Sequence, residues 1–286
     1  MRASITLFGL AASEYGAIAE RAEETGFDVV WIADHLVTPV GFAGTYPYNE
    51  TGFPGYDAAT PLVDSFVLAG HLAARTRRIR LGTGVCILPL RNVFAAARAV
   101  ATVQDLAEGR FLFGVGTGWM REEFDAVGEA FDGRGGRTDE MIEVMQELWT
   151  GAPVEHHGRH YDFPAVQLAP APPEVPLVFG GTTLPALRRT ARFGRGWFAP
   201  SRPLEEALAI CDRLAELRAE AGTADQPFDI WFRMVDPPSA DVVARYEDAG
   251  VDDIVIGPFW AGGATKDSPL GEKLDAVSRA AELLVR

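Results

Sequence analysis

The chain contains 286 residues, of which 48% are hydrophobic, enough apolar material for a large core without a metal or a disulfide framework. Its formal net charge of −14 argues against nucleic acid or an anionic membrane as a general partner. An anionic ligand would therefore need a local pocket of backbone N–H groups and arginines. The two cysteines and the absence of a signal-peptide pattern or a long apolar run predict a soluble, cytoplasmic protein.

Short β-branched or aromatic runs alternate with longer helical segments along the chain, which is typical of a parallel sheet wrapped by helices. The predicted strands are residues 4–8, 28–33, 79–85, 110–115, 176–179, 196–199, 229–234 and 253–256. The predicted helices are residues 13–25, 61–75, 93–107, 122–150 (interrupted), 184–193, 204–221, 239–249 and 270–285. Eight strand–helix units without a break in composition predict an α/β fold, a (β/α)8 TIM barrel that forms a single domain over residues 1–286.

Three predicted connections are longer than an ordinary loop. They are insertions of about residues 36–60 after strand 2, 152–173 after strand 4 and 258–269 after strand 8. The middle one has the pattern of a small hairpin followed by a proline-rich return. Loops that follow strands lie on the catalytic face of a barrel, so long ones are candidate lids or substrate walls.

The second predicted strand ends in a carboxylate beside an imidazole, Asp34 and His35. Because adjacent strand residues point to opposite faces, the two side chains are not expected to bond to each other. Histidine is the side chain best suited to proton transfer near neutral pH, so His35 is the candidate acid or base. The alternative is a buried histidine that only closes the top of the barrel.

Glycine-rich turns follow the third and fourth predicted strands. Gly82 and Gly84 would allow a flat ligand to approach the backbone, or an unusual peptide geometry. Gly116 and Gly118 precede a helix, where backbone N–H groups can cradle a phosphate. The turn matches a dinucleotide fingerprint poorly, because no glycine lies three residues after Gly118 and the turn follows the fourth strand, not the first.

The fifth strand is followed by Gly180, Gly181 and Thr182, a good anion nest between a strand and a helix. Arg188 and Arg192 come next on one helix face, where a ligand contact and a solvated basic face are equally consistent with the spacing. After strand six, Ser201 and Arg202 could also meet a phosphate.

Three of the five histidines, His156, His157 and His160, cluster in the middle insertion. Their spacing alone would allow metal ligation. No Asp, Glu or Cys partner pattern accompanies them, and they lie in a hairpin and not at a strand end. The sequence therefore predicts no metal site.

These segments, in this order, resemble the luciferase-like monooxygenase superfamily. The matching blocks are residues 31–35, 81–85, 106–119, 137–140, 180–181 and 194–197. The resemblance runs from Phe8 to about Gly257, and it is closer to the branch that uses the deazaflavin coenzyme F420 than to bacterial luciferase.

The resemblance implies a barrel with a cofactor ring across the strand C-termini, a non-proline cis peptide at Gly84–Val85 and, commonly, a homodimer. His35 would be the catalytic acid or base. The residues implied to bind the cofactor are Asp34 at the ring edge, Thr83, Gly84, Val85, Gly116, Thr117, Gly118 and Trp119 along the ring, and Gly180, Gly181, Thr182, Ser201 and Arg202 at the phosphate.

The chain departs from the sugar-phosphate dehydrogenases of that superfamily at three places. They carry a catalytic Glu directly after the Gly-Thr-Gly turn, where this chain has Trp119. They carry a Trp shortly after the Asp-His pair, where this chain continues with residues 36–39, and the usual Asp before Gly-Trp is Arg195. These differences argue against oxidation of a sugar phosphate by their mechanism.

Four functions are compatible with these observations. The favoured one is hydride transfer between coenzyme F420 and a small organic substrate, since a composition of two lysines, Lys266 and Lys273, against 24 arginines suits a GC-rich actinobacterial genome, where this coenzyme is common. The alternative is an FMN-dependent monooxygenase supplied by a flavin reductase. A metal-dependent barrel hydrolase using His35 and the hairpin histidines, and a non-catalytic flavin-binding barrel, are the other two.

Overall fold

The computed structural model describes residues 1–41, 44–48 and 51–285. The predicted insertion of residues 36–60 includes positions 42, 43, 49 and 50, and the predicted domain ends at position 286. These five positions lie outside the described residues.

Within these ranges, strands and helices alternate in the predicted order. The strands are β1 (Arg2–Leu7), β2 (Val29–Ile32), β3 (Arg80–Thr83), β4 (Cys86–Ile87), β5 (Phe111–Gly116), β6 (Pro153–His157), β7 (Asp162–Gln167), β8 (Leu177–Gly180), β9 (Gly196–Ala199), β10 (Asp229–Arg233) and β11 (Asp253–Ile256). The helices are α1 (Tyr15–Glu24), α2 (Ser65–Arg75), α3 (Val93–Leu106), α4 (Arg121–Val127), α5 (Arg134–Leu148), α6 (Leu184–Phe193), α7 (Leu204–Glu220), α8 (Ala240–Asp248), α9 (Pro258–Gly262) and α10 (Leu270–Leu284), with a 3-10 turn at Leu88–Leu90.

The strands β1, β2, β3, β5, β8, β9, β10 and β11 pair in parallel in that order around a ring. Pairing of β11 with β1 and of β3 with β5 closes the ring. The predicted (β/α)8 barrel is therefore confirmed. The predicted hairpin of the middle insertion is also present, as the antiparallel pair β6 and β7.

Local sequence explains where several elements begin and end. Helix α2 begins at Ser65, later than predicted, because the Asp64 carboxylate accepts hydrogen bonds from the amides of Phe66 and Val67 and caps the helix there. The predicted helix of residues 122–150 is interrupted between α4 and α5, where Gly128 and Gly133 adopt φ values of +77° and +76°.

Two indoles fill the interior of the barrel. The ring centroids of Trp31 and Trp231 lie 5.1 Å apart, and the ring centroids of Trp31 and Phe198 lie 4.7 Å apart. Gly82 makes room for the Trp31 indole, because a Cβ at this position would lie 2.5 Å from the Trp31 ring. This layer occupies the centre, so a ligand has space only toward the strand ends. In the described part of the chain, no helix is both long and apolar enough to cross a lipid bilayer.

A buried carboxylate, Asp253, lies at the start of β11, at the end of the barrel where the strands begin. It accepts a 2.8 Å hydrogen bond from Ser4 Oγ, and Arg2 Nε lies 3.6 Å away. Burial, reinforced by the neighbouring Asp28, raises the pKa of Asp253 well above its usual range. Such a group binds its proton more tightly in the folded chain, so its contribution to stability is full below the unfolded pKa of about 3.9 and is lost as the pH rises.

We therefore expect Asp253→Asn to be more stable than the wild type at about pH 7.5, and the gain to disappear at about pH 4, where both chains carry a neutral group. Free energies of unfolding from urea titrations at the two pH values measure this difference. Asp252→Asn, at the exposed neighbouring position, is the matched control. An equal effect of Asp253→Asn at both pH values would contradict the assignment.

Candidate active site

A cavity of about 570 Å³ opens at the C-terminal ends of the strands. Residues that follow β2, β3 and β5, namely Ala33, Val85 and Thr117, meet in its wall, as the sequence predicts. The predicted site residues that line it are Asp34, His35, Gly84, Val85, Gly116, Thr117, Gly118, Trp119, Gly180, Gly181 and Thr182.

Three predicted cofactor residues do not line the cavity. Thr83 is fully buried, and its Oγ1 donates a 2.7 Å hydrogen bond to the carbonyl of Gly114. Arg202 forms an ion pair with Glu206 at 3.0 Å, and Ser201 lies outside the cavity wall. We therefore leave Thr83, Ser201 and Arg202 out of the candidate site.

One wall of the cavity is flat because glycines surround Val85. The peptide bond Gly84–Val85 is cis, as the resemblance implies. A Cβ at Gly116 would lie 2.7 Å from Val85 Cγ2, and a Cβ at Gly180 would lie 3.4 Å from the same side chain. Side chains at these glycines would fill the space over Val85. The wall therefore suits a planar ring that lies against the backbone.

The end of the cavity next to β8 contains groups that can donate hydrogen bonds to an anion. Gly181, with φ +96°, and Thr182 lead into α6, where backbone N–H groups are free of helix partners. Arg134 and Arg189 line the same cavity, and the sequence analysis missed both. Arg189 pairs with Asp139, whereas Arg134 forms no ion pair with the described residues.

The arginines that the sequence analysis did single out on α6 face outward. Arg188 is exposed, and the exposed Arg192 pairs with Glu143 at 2.6 Å. They form the solvated basic face that was the alternative interpretation, and the buried Arg189 between them reaches the cavity.

His35 is held between two other residues. Its Nδ1 lies 2.8 Å from Oε2 of Glu123, which is fully buried on α4 and also accepts a 2.7 Å bond from the amide of Leu36. Its Nε2 lies 2.9 Å from the hydroxyl of Tyr56, which lines the cavity. Burial, and secondarily the Glu123 carboxylate, raise the pKa of the Tyr56 phenol. Tyr56, His35 and Glu123 therefore form a hydrogen-bonded chain that runs from the cavity into the protein.

The Asp34 side chain does not hydrogen-bond to His35 but to three other residues. Its Oδ1 accepts bonds from Arg91 at 2.6 Å and Ser65 at 2.8 Å, and its Oδ2 accepts from the amide of Ile87 at 3.1 Å. These bonds fix the backbone that follows Val85. The expectation that Asp34 and His35 do not bond to each other is confirmed.

Aromatic residues of the insertion after β2 cover the cavity. The ring centroid of Tyr46 lies 5.1 Å from that of Trp119 and 5.3 Å from that of Tyr48, and all three side chains line the cavity. These partly exposed rings form an aromatic wall at the mouth of the cavity.

The hairpin histidines do not line the cavity. His157 pairs with Asp162 at 2.6 Å, and the ring of His156 stacks on Phe163 with a centroid distance of 5.7 Å. In the ranges that the structure describes, no group of three or more His, Cys, Asp or Glu side chains is placed to hold a metal ion. The structure therefore does not bring these histidines together with His35.

Comparison with known proteins identifies the family. Residues 5–269 match the luciferase-like monooxygenase family. An uncharacterized protein of Mycobacterium tuberculosis is 34% identical over 275 residues, 95% of this chain and 94% of that protein. The F420-dependent glucose-6-phosphate dehydrogenase of Nakamurella multipartita is 34% identical over 206 residues, 70% of this chain and 55% of that enzyme. The chain belongs to the luciferase-like monooxygenase family and is an oxidoreductase.

A solved structure shows the same fold. The monooxygenase RslO1 of Streptomyces bottropensis has a TM-score of 0.76 to this chain at 21% identity, over 100% of this chain and 99% of the other. The fold is therefore shared with a monooxygenase.

Proposed function

We propose that this protein is a cytoplasmic oxidoreductase that transfers a hydride between coenzyme F420 and a small organic substrate. The observation that carries the proposal is the flat, glycine-bordered wall at Val85, in a cavity that is also lined by the turn of Gly180–Thr182 and by Arg134 and Arg189. A tricyclic ring with a phosphate-bearing tail has this shape and charge. The 34% identity to an F420-dependent dehydrogenase supports the deazaflavin.

The residues present would hold that coenzyme as follows. Val85, Gly116 and Gly180 would form the surface under the ring, and the amides that follow Gly180, with Arg134 and Arg189, would bind the phosphate. When bound, the deazaflavin supplies two-electron hydride chemistry and does not readily activate oxygen. The protein orients the ring and excludes water from it.

The proton that accompanies the hydride would be handled by the Tyr56–His35–Glu123 chain. The Glu123 carboxylate accepts a hydrogen bond from the Nδ1–H group of His35. The other exchangeable proton of the chain therefore lies between Nε2 of His35 and the Tyr56 hydroxyl. Tyr56 thus presents the last oxygen of the chain to the substrate. As the hydride leaves or reaches a substrate carbon, a proton leaves or reaches the neighbouring heteroatom through this oxygen.

A cofactor titration tests the proposal. Purified protein is titrated separately with F420 and FMN, and the fluorescence of each cofactor is followed. We expect saturable binding of F420, and binding of FMN weaker by about tenfold or more, which is about 1.4 kcal/mol. Arg134→Met should weaken F420 binding, whereas Arg213→Met, at a half-buried position of α7 that does not line the cavity, should not.

The reverse preference would favour the second candidate, an FMN-dependent monooxygenase supplied by a reductase, which the shared fold with RslO1 makes reasonable. Cofactor binding without turnover on a broad panel of enones, imines and alcohols would favour the non-catalytic alternative. The homodimer that the resemblance implies stays a prediction, which light scattering after size-exclusion chromatography would test.

A further inference from the structure

A third arginine of the cavity wall, Arg233, differs from the other two in its partners. It is the last residue of β10, and its side chain lines the cavity. It forms no hydrogen bond or ion pair with any residue in the ranges that the structure describes. The other two arginines of the cavity wall differ, because Arg189 pairs with Asp139 and Arg134 donates hydrogen bonds to the carbonyl oxygens of Gly118 and Phe131.

An unpaired guanidinium in this environment is costly. Arginine remains charged in proteins, and enclosing a charge without a counter-ion is unfavourable. Burial lowers the pKa of Arg233, and among the described residues the titratable group that acts on this pKa is the phenol of Tyr46. Arg233 is half-buried, lines the cavity and has no acidic partner in the part of the chain that the structure describes. In a chain of net charge −14, such a cation indicates a ligand that brings the negative charge.

The position of Arg233 separates it from the wall proposed for the ring. In the closed ring of eight strands, β10 lies four places from β3 in either direction, so Arg233 is opposite the wall that begins at Gly84. It is two strands away from β8, which carries the anion nest. A ring against Val85, with its phosphate at that nest, would leave the space in front of Arg233 for the substrate.

Resting on the function proposed above, we infer that Arg233 binds an anionic group, a carboxylate or a phosphate, carried by the substrate itself. The planar guanidinium can donate two parallel hydrogen bonds to such a group. The cavity walls formed by Phe8, Tyr46 and Tyr56 would contact an apolar or aromatic body. The substrate class is therefore a small organic anion whose reacting carbon lies between the ring and the Tyr56 hydroxyl.

The test uses calorimetric titration of the protein with benzoate, phenyl phosphate and neutral benzamide, with and without bound F420. We expect the wild type to prefer at least one of the two anions over benzamide by about tenfold or more. Arg233→Met should remove this preference, and Arg233→Lys should retain part of it. The F420 dissociation constant of both variants should stay within about threefold of the wild type, and thermal unfolding confirms that each variant is folded.

Two results would overturn the inference. The first is a wild type that binds neither anion more tightly than benzamide. The second is an Arg233→Met variant that keeps the anion preference but loses about tenfold or more in F420 affinity, because Arg233 would then serve the cofactor tail. Arg134→Met is the matched control within the cavity and should weaken F420 while leaving the anion preference intact. If F420 does not bind the wild type, the proposed cofactor fails, and the titrations of the cofactor-free protein still decide the role of Arg233.

Discussion

Replacing His35 with alanine is expected to lower kcat by about 10²- to 10⁴-fold, the range for removal of a general acid or base. The dissociation constant of the cofactor should change by less than about threefold, because His35 contacts Glu123 and Tyr56 and not the proposed phosphate nest. Steady-state turnover and fluorescence titration of the same preparation measure the two quantities.

The variant leaves a buried carboxylate without one of its partners, so its fold needs a separate check. Removing a partner of a buried charged group costs about 1–3 kcal/mol, which thermal unfolding will reveal. His35→Asn keeps an N–H near Glu123 but has no titrating ring, so it should fold better and remain equally slow. His157→Ala, at an exposed position, should not change turnover. An unchanged kcat in folded His35→Ala would remove this residue from the mechanism.

Tyr56→Phe separates two routes for the proton. Because the phenol is proposed to be the last group before the substrate, we expect this variant to lose turnover to about the same extent as His35→Ala. If the imidazole transfers the proton directly, removing one hydroxyl should leave turnover close to the wild type. The pH profile adds a second readout, since loss of a transferring group alters the pH dependence of kcat and a change in packing alone does not.

The barrel could be predicted from sequence because its signals are local. Each strand is a short apolar run bounded by polar or glycine residues, and each predicted strand overlaps an observed one. The third strand is an instructive difference. It was predicted as one run over residues 79–85, but the chain leaves the β3 ladder after Thr83, turns through the cis peptide at Gly84–Val85 and resumes as β4. Apolar patterning does not record such a turn.

Site residues could be predicted where a single sequence segment identifies them. They could not be predicted where a role depends on contact between two segments that are distant in sequence. The strand-end glycines and His35 were found because each stands in a recognisable turn. Glu123 was not, because its partner His35 lies 88 residues away. The prediction that Thr83 binds the cofactor is wrong because successive strand residues point to opposite sides. Gly84 lines the cavity, so the Thr83 side chain points away from it. Arg233 had a usable signal, because a charged residue ends the apolar run of β10 just as His35 follows that of β2.

A second large effect is expected at the anion nest, where Gly181→Asp should weaken cofactor binding by about 100-fold, or about 2.7 kcal/mol. Gly181 has φ +96°, a conformation that L side chains rarely adopt, and its Cβ would lie 3.1 Å from Ala186 Cβ. The new carboxylate would stand where we propose that the cofactor's phosphate binds. Two anions would then compete for one set of donors.

Two control variants separate charge from backbone strain in that experiment. Gly181→Ala adds the Cβ without the charge and should lose only part of the affinity. Gly250→Asp adds the same side chain at an exposed glycine with φ +76° and open space around it, so it should cost stability but not cofactor affinity. If Gly181→Asp binds the cofactor as tightly as the wild type, the phosphate does not lie at this nest. Arg134 and Arg189 would then need another ligand to explain their place in the cavity wall.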